Sequence, residues 1–193
     1  MATKVSICSN ALLLLGAKTI NSLDEGSDRA SLASNLYDSL RDDLLRSHPW
    51  NCAVKRVILA PDTETPAFDY GAQFTLPADW LKTISVGADG YEVDYKHESG
   101  KIMADGTVLP LRYIYRNDNE ATWDAMLVRA MELKMASEMA YPTTGSASMA
   151  DAMYQKFERH MKQARAVDGQ DDPPQTFGDF PLLSARFGGR AVY

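Results

Sequence analysis

The stretch YDSLRDDLLRSHPWNCAVKRVIL, residues 37–59, changes its hydrophobic period partway along. Up to Leu45 the apolar residues return every three or four positions: Tyr37, Leu40 and Leu44 share one face, with Leu45 at its border. That spacing predicts an amphipathic helix. From Val54 onward the run VKRVIL is short and β-branched, which predicts a strand. Pro49 lies between the two and ends the helix, because its ring disfavours helical geometry at His48. The chain therefore changes from helix to sheet here.

Working back towards the N-terminus, this helix begins near residue 28, with Ser27 as its cap. Asp42 and Arg46 on its polar side have the spacing of an i, i+4 ion pair. An earlier helix, about 4–15, starts after Thr3 and is stopped by Gly16. Its apolar stripe is Val5, Cys8, Leu12 and Leu15.

Working forward, strands are predicted at 54–59, 72–76, 80–86, 91–95, 101–104 and 107–116. Asp105-Gly106 has the composition of a two-residue hairpin turn, and Asp89-Gly90 and Glu98-Ser99-Gly100 mark two further turns. Leu111, Tyr113 and Tyr115 share one face of the last strand, with Arg112, Ile114 and Arg116 on the other. Helical spacing returns at Thr122 and is expected to end at Pro142. A fourth helix covers about 148–167. Met131 and Met135 lie off the inward stripe of the third helix and suit a surface that adapts to a partner.

The expected fold is α+β: a four-helix bundle with an inserted small antiparallel β-sheet and an extended C-terminal arm. Its parts are helical core 1–51, β-rich insertion 52–117, helical core 118–167 and arm 168–193. The arm sequence, DGQDDPPQTFGDFPLLSARFGGRAVY, has no stable period and three prolines, at 173, 174 and 181. It nevertheless carries Phe177, Phe180, Leu182, Leu183, Phe187 and Tyr193, more large apolar groups than a solvated linker needs. These six are the expected anchors on a partner.

The chain has 193 residues and a formal net charge of −6, which argues against gripping nucleic acid through clustered cations. Its two cysteines make no disulfide framework. No apolar run approaches the ~20 residues that span a bilayer, and ALLLL (11–15) lacks the flanks of a signal peptide. A cytoplasmic site of synthesis and folding is expected.

Catalytic signatures are weak. There is no G-x-S-x-G, and Cys8 on an apolar helix face is desolvated and inert. His48, His97 and His160 match no metal-ligand spacing. The adjacent carboxylates Asp42-Asp43 and Asp171-Asp172 point different ways and suit a solvated surface. Neither a cofactor nor a metal is expected. The outer face of the fourth helix carries Lys156, Arg159, Lys162 and Arg165, a candidate contact for an acidic protein surface.

Several segments carry a resemblance to a known family: SLDEGSDRA (22–30), YDSLRDDLL (37–45), RSHPWNCA (46–53), FTLPADWLK (74–82) and AYPTTGS (140–146). In this order the chain resembles the tail tubular protein A family, the head–tail adaptors of tailed bacteriophages, over residues 5–165. It departs from the family pattern at Cys52, where an aromatic usually follows HPWN. The resemblance implies a structural, non-enzymatic virion protein of the neck, assembled in the host cytoplasm. It implies a ring of about twelve copies under the portal protein. The ring would extend the channel through which viral DNA passes without specific binding, and would dock the next protein of the tail tube or nozzle. It also implies that the C-terminal segment reaches the portal. The main rival is a non-viral interaction module with a C-terminal docking peptide. A further rival, an enzyme such as a nuclease or wall-degrading tail component, would need a working pair such as Asp42 and His48.

Burial of the six arm anchors would yield about 9–18 kcal/mol gross, at about 1.5–3 kcal/mol each. Ordering the arm costs about 1–2 kcal/mol per residue. One arm alone therefore binds weakly, and a ring of arms acts at high effective concentration.

Overall fold

The computed structural model describes residues 1–88 and 93–171. Helix α1, Lys4–Leu14, starts at Thr3, whose hydroxyl accepts from Ser6 N while the Ser6 side chain accepts from Thr3 N. Gly16, at φ +71°, takes the chain out of it. Helix α2, Asp28–Arg46, is capped by Ser27. Each such cap stabilises a helix by about 1 kcal/mol.

Six strands follow: β1 Val54–Leu59, β2 Ala72–Thr75, β3 Trp80–Val86, β4 Tyr95–Glu98, β5 Lys101–Ala104 and β6 Leu109–Tyr115. They form two antiparallel sheets, ordered β1-β6-β3 and β2-β5-β4. The expectation of a single small sheet is thus corrected. Asp105-Gly106 is no hairpin turn, because β5 and β6 belong to different sheets. Ser99-Gly100 is the true two-residue hairpin, with φ +49° and +75° joining β4 to β5. Asp89-Gly90 lies outside the described residues.

The two sheets share a core of Phe74, Val86, Ile102, Leu109, Leu111 and Tyr113. The other face of β1-β6-β3 puts Ile114 into the helical core, together with Leu81. Helix α2 lies against β3 and β6. The Arg46 guanidinium donates to the Leu81 carbonyl, and Arg116 Nε sits 2.8 Å from Asp42 Oδ2. Asp42 pairs with Arg41 and Arg116, so the expected Asp42–Arg46 pair does not form. Where the chain enters and leaves the sheets, buried Asn117 and Tyr115 both donate to the Cys52 carbonyl, at 2.8 and 3.2 Å.

Helix α3, Ala125–Thr144, and helix α4, Ala147–Asp168, complete the chain. The expected four-helix bundle is overturned. Two helices come first and two last in the chain, and α3 is the hub. Helices α4, α1 and α2 each pack on α3, and α1 and α2 scarcely meet. The physical reason is the burial of α3 on most of its circumference. Leu127, Ala130, Met131, Met135, Ala136, Met139 and Ala140 are all fully buried. Met131 and Met135, expected to offer an adaptable surface, are core. Even Glu132 is buried, accepting from Asn10 Nδ2 at 2.7 Å and Arg129 at 2.8 Å. A helix apolar on one stripe packs edge to edge in a bundle, whereas one apolar nearly all round sits inside its neighbours.

Pro142 lies within α3 and does not stop it. A proline in the last turn removes only one bond near the end, and Gly145, in the left-handed region at φ +68°, makes the stop.

Asp79 ties the sheet together. Burial pushes its pKa up, but bonds from Lys55 Nζ (2.7 Å) and Tyr113 Oη (3.0 Å) outweigh this and hold it below the usual carboxylate range. A depressed folded pKa gives stability that is present above the unfolded value, about 3.9, and lost as pH falls through the folded value. Asp79→Asn should therefore destabilise the chain at pH 7, by less than about 1 kcal/mol given the exposed lysine. The gap to the parent should narrow at about pH 3, below the unfolded value. Urea titrations at both pH values measure it; an equal gap at both would remove Asp79 from the acid response.

Candidate functional site

The HPWN turn at residues 48–51 follows α2 and leads into β1. Pro49 breaks the helical path, and the Trp50 amide then donates to the His48 carbonyl at 2.9 Å, folding Trp50 back beneath α2. The indole is 1% exposed and its Nε1 donates to the Leu44 carbonyl at 3.1 Å. That bond adds a third donor to a carbonyl at the helix end that also accepts from Ser47 N and Ser47 Oγ. The His48 ring stands edge-on to Trp50, with centroids 4.8 Å apart.

This places His48 and Asn51 against the last residue of α4. His48 Nε2 is 3.2 Å from Asp168 Oδ2, the Asn51 amide donates to Asp168 Oδ1 at 3.1 Å, and Asn51 Nδ2 donates to the Asp168 carbonyl at 2.8 Å. A carboxylate at a helix C-terminus faces the negative end of the helix dipole, so these donors offset an unfavourable placement. The end of α4 is thereby fixed at the corner where α2 passes into the sheets. From this corner the chain continues towards residues 172–193. The six expected anchors, Phe177, Phe180, Leu182, Leu183, Phe187 and Tyr193, lie outside the described residues.

Helix α4 buries Met153, Phe157, Met161 and Ala164, and Lys156, Arg159, Lys162 and Arg165 are all exposed. Among the described residues none of the four is in an ion pair. Each three-residue step turns about 60° short of a full circle. The four cations therefore sweep across the outer half of the helix, a broad positive surface rather than a line.

The residues weighed for chemistry take separate partners. Asp42 binds Arg41 and Arg116, and His48 binds Asp168. His97 lies in β4, stacked on Trp80 with centroids 4.8 Å apart, and His160 Nε2 is 2.8 Å from the Met126 carbonyl. Among the described residues no group of three or more His, Cys, Asp or Glu is placed to hold a metal ion, and no helix is long and apolar enough to cross a membrane. Burial pushes the Cys8 thiol up to about 12 and the Cys52 thiol up to about 11. Both should resist a thiol reagent at pH 7.5 and react fully in denaturant. Rapid native labelling of either would contradict this burial.

Sequence reasoning passed over the clamp on Asp168. His48 and Asn51 were visible as parts of a motif, but their partner lies more than a hundred positions away, and no local spacing points to it. Comparison with protein-family models and with curated proteins gave no match.

Proposed function

We propose that this chain is a structural head–tail adaptor of a tailed bacteriophage. About twelve copies form a ring between the portal and the tail tube or nozzle, around the channel that DNA traverses. The observation that carries this reading is the ordered series of motifs from SLDEGSDRA (22–30) to AYPTTGS (140–146). Two of these motifs lie at corners of the fold. HPWN fastens the end of α4, and PTTGS holds the left-handed turn between α3 and α4. Such corners set where a partner-binding segment leaves a rigid body. The broad cationic side of α4 and the net charge of −6 supply surfaces of opposite sign for contact between neighbouring copies.

The gross energy of one arm, about 9–18 kcal/mol, falls short of the cost of ordering it, about 1–2 kcal/mol for each of roughly 25 residues, so the ring should form on the portal template rather than free in solution. Size-exclusion chromatography with light scattering tests this. Alone, the chain should run as a monomer; with portal, it should join a large complex. A stable free ring would sink templating, and failure to join any portal would favour the non-viral interaction module.

A further inference from the structure

One face of the sheet β1-β6-β3 extends past the helices that cover it. Its residues lie in rows: Val54 with Ile114, then Arg56 with Arg112 and Ser85, then Ile58 with Pro110. The first row reaches the helical core, where Ile114 is 1% exposed. The other two rows, with Gly87 and Ala88, line a groove of about 390 Å³ that contains no helical residue.

Arg56 and Arg112 stand directly opposite one another, a placement in which like charges repel. Among the described residues neither guanidinium has a carboxylate within salt-bridge distance. Arg112 Nε is buried and has no hydrogen-bond partner. A buried donor left unmade is costly, and a carboxylate would relieve both it and the repulsion. Beside the cations Ile58 is 70% exposed, an apolar seat next to a charged one. Bare phosphate would use only the cation row. A peptide with a carboxylate next to a large apolar residue uses both.

The chain contains such a peptide, QDDPPQTFGDF, residues 170–180. Asp171, Asp172 and Asp179 match the arginines in charge, and Phe177 and Phe180 match Ile58 and Pro110. Pro173 and Pro174 restrict the free chain and lower the entropy lost on docking. The reach is sufficient. Asp168 is bonded to Asn51, and the seven residues from Asn51 to Ile58 span at most about 25 Å. The amides of Gly169, Gln170 and Asp171 donate back to the Arg165, Val167 and Asp168 carbonyls, so the reach counts from Asp171; the eight residues from there to Asp179 extend to about 26 Å, against at most about 18 Å for the five residues from Asn51 to Arg56.

We infer that this groove is the receptor for residues 171–180 of this chain, with the Asp179 carboxylate on Arg56 and Arg112 and a neighbouring phenylalanine on Ile58 and Pro110. The contact holds in the free chain and does not depend on the adaptor reading.

The test uses the full chain with Cys52→Ser and with Ser184→Cys carrying a fluorescent dye, Cys8 being buried and Cys52 half-buried. In the parent the dye should tumble largely with the body. Arg56→Glu with Arg112→Glu should lower the anisotropy at least twofold, and adding D171K, D172K and D179K should restore it. The three lysine substitutions alone should also free the dye, and they alter no core residue. Salt at 0.5 M should weaken docking at about a 4–5 Å screening length. Circular dichroism confirms folding of each variant. Anisotropy that is independent of dilution marks docking within one chain; loss on dilution marks docking on a second copy, in the same groove. Anisotropy unchanged in both the groove variant and the lysine variant, or a dye already mobile in the parent, would overturn the inference.

Discussion

Trp50→Ala should lower the stability of the folded chain by about 3–5 kcal/mol, the range for removing a large buried aromatic. The indole is 1% exposed, so nearly all its transfer energy is lost and a cavity is left under α2. The Leu44 carbonyl also loses one of its three donors, keeping Ser47 N and Ser47 Oγ. Folded domains are stable by about 5–15 kcal/mol, so this one change consumes much of the margin. For a chain of this length it corresponds to a fall in Tm of roughly 10 °C. Trp50→Phe keeps most of the volume and loses the N–H, and should cost about 1–2 kcal/mol. Urea titrations followed by circular dichroism rank the two. A loss below about 1 kcal/mol for the alanine variant would mean that the HPWN turn does not depend on its tryptophan.

Ending the chain after Asp171 should leave the fold within about 4 °C of the parent in Tm and, on the adaptor function proposed above, abolish attachment to a portal. The cut point matters. A cut before Asp168 would also remove the acceptor of His48 and Asn51, so any lost attachment could arise from a loosened α4. A cut after Asp171 keeps the clamp and removes Phe177, Phe180, Leu182, Leu183, Phe187 and Tyr193. Co-sedimentation with portal is the readout. Normal attachment of the shortened chain would move the contact elsewhere, with the cationic side of α4 the next surface to test by Arg159→Glu and Lys162→Glu.

Much of the local structure was legible because its causes are local. Thr3 and Ser27 cap the helices predicted from them, and VKRVIL, WLKTISV and KIMA are strands at the expected positions. Ser99-Gly100 turns as its composition demands. What failed depended on contacts distant in sequence. Asp105-Gly106 has hairpin chemistry, but local chemistry does not say to which sheet the next strand belongs. Met131 and Met135 looked like an outward face because one helix's period does not show that three others, α1, α2 and α4, pack around α3. Pro142 has the chemistry of a stop, but so close to Gly145 it falls in the last turn, where the helix ends by the left-handed glycine instead. In the candidate site, the cations of α4 were found by spacing and are exposed. The partner of His48 and Asn51 was not found, because tertiary proximity leaves no trace in the period of either segment.

The two cores have different positions in the order of synthesis. Every residue of the core shared by the sheets lies between Val57 and Tyr115, so nothing beyond that point is needed to close it. The helical core is closed by α3, which begins only at Ala125. While the chain is growing from its N-terminus, α1 and α2 have no hub, and Ile7, Leu12, Ala33 and Leu44 remain uncovered. Their contacts with α3 are long-range, and such contacts form slowly because a large loop must close first. Once residues 1–120 have left the ribosome, the nascent chain would thus carry a finished sandwich beside two sticky helices, the state most exposed to aggregation and most in need of a chaperone.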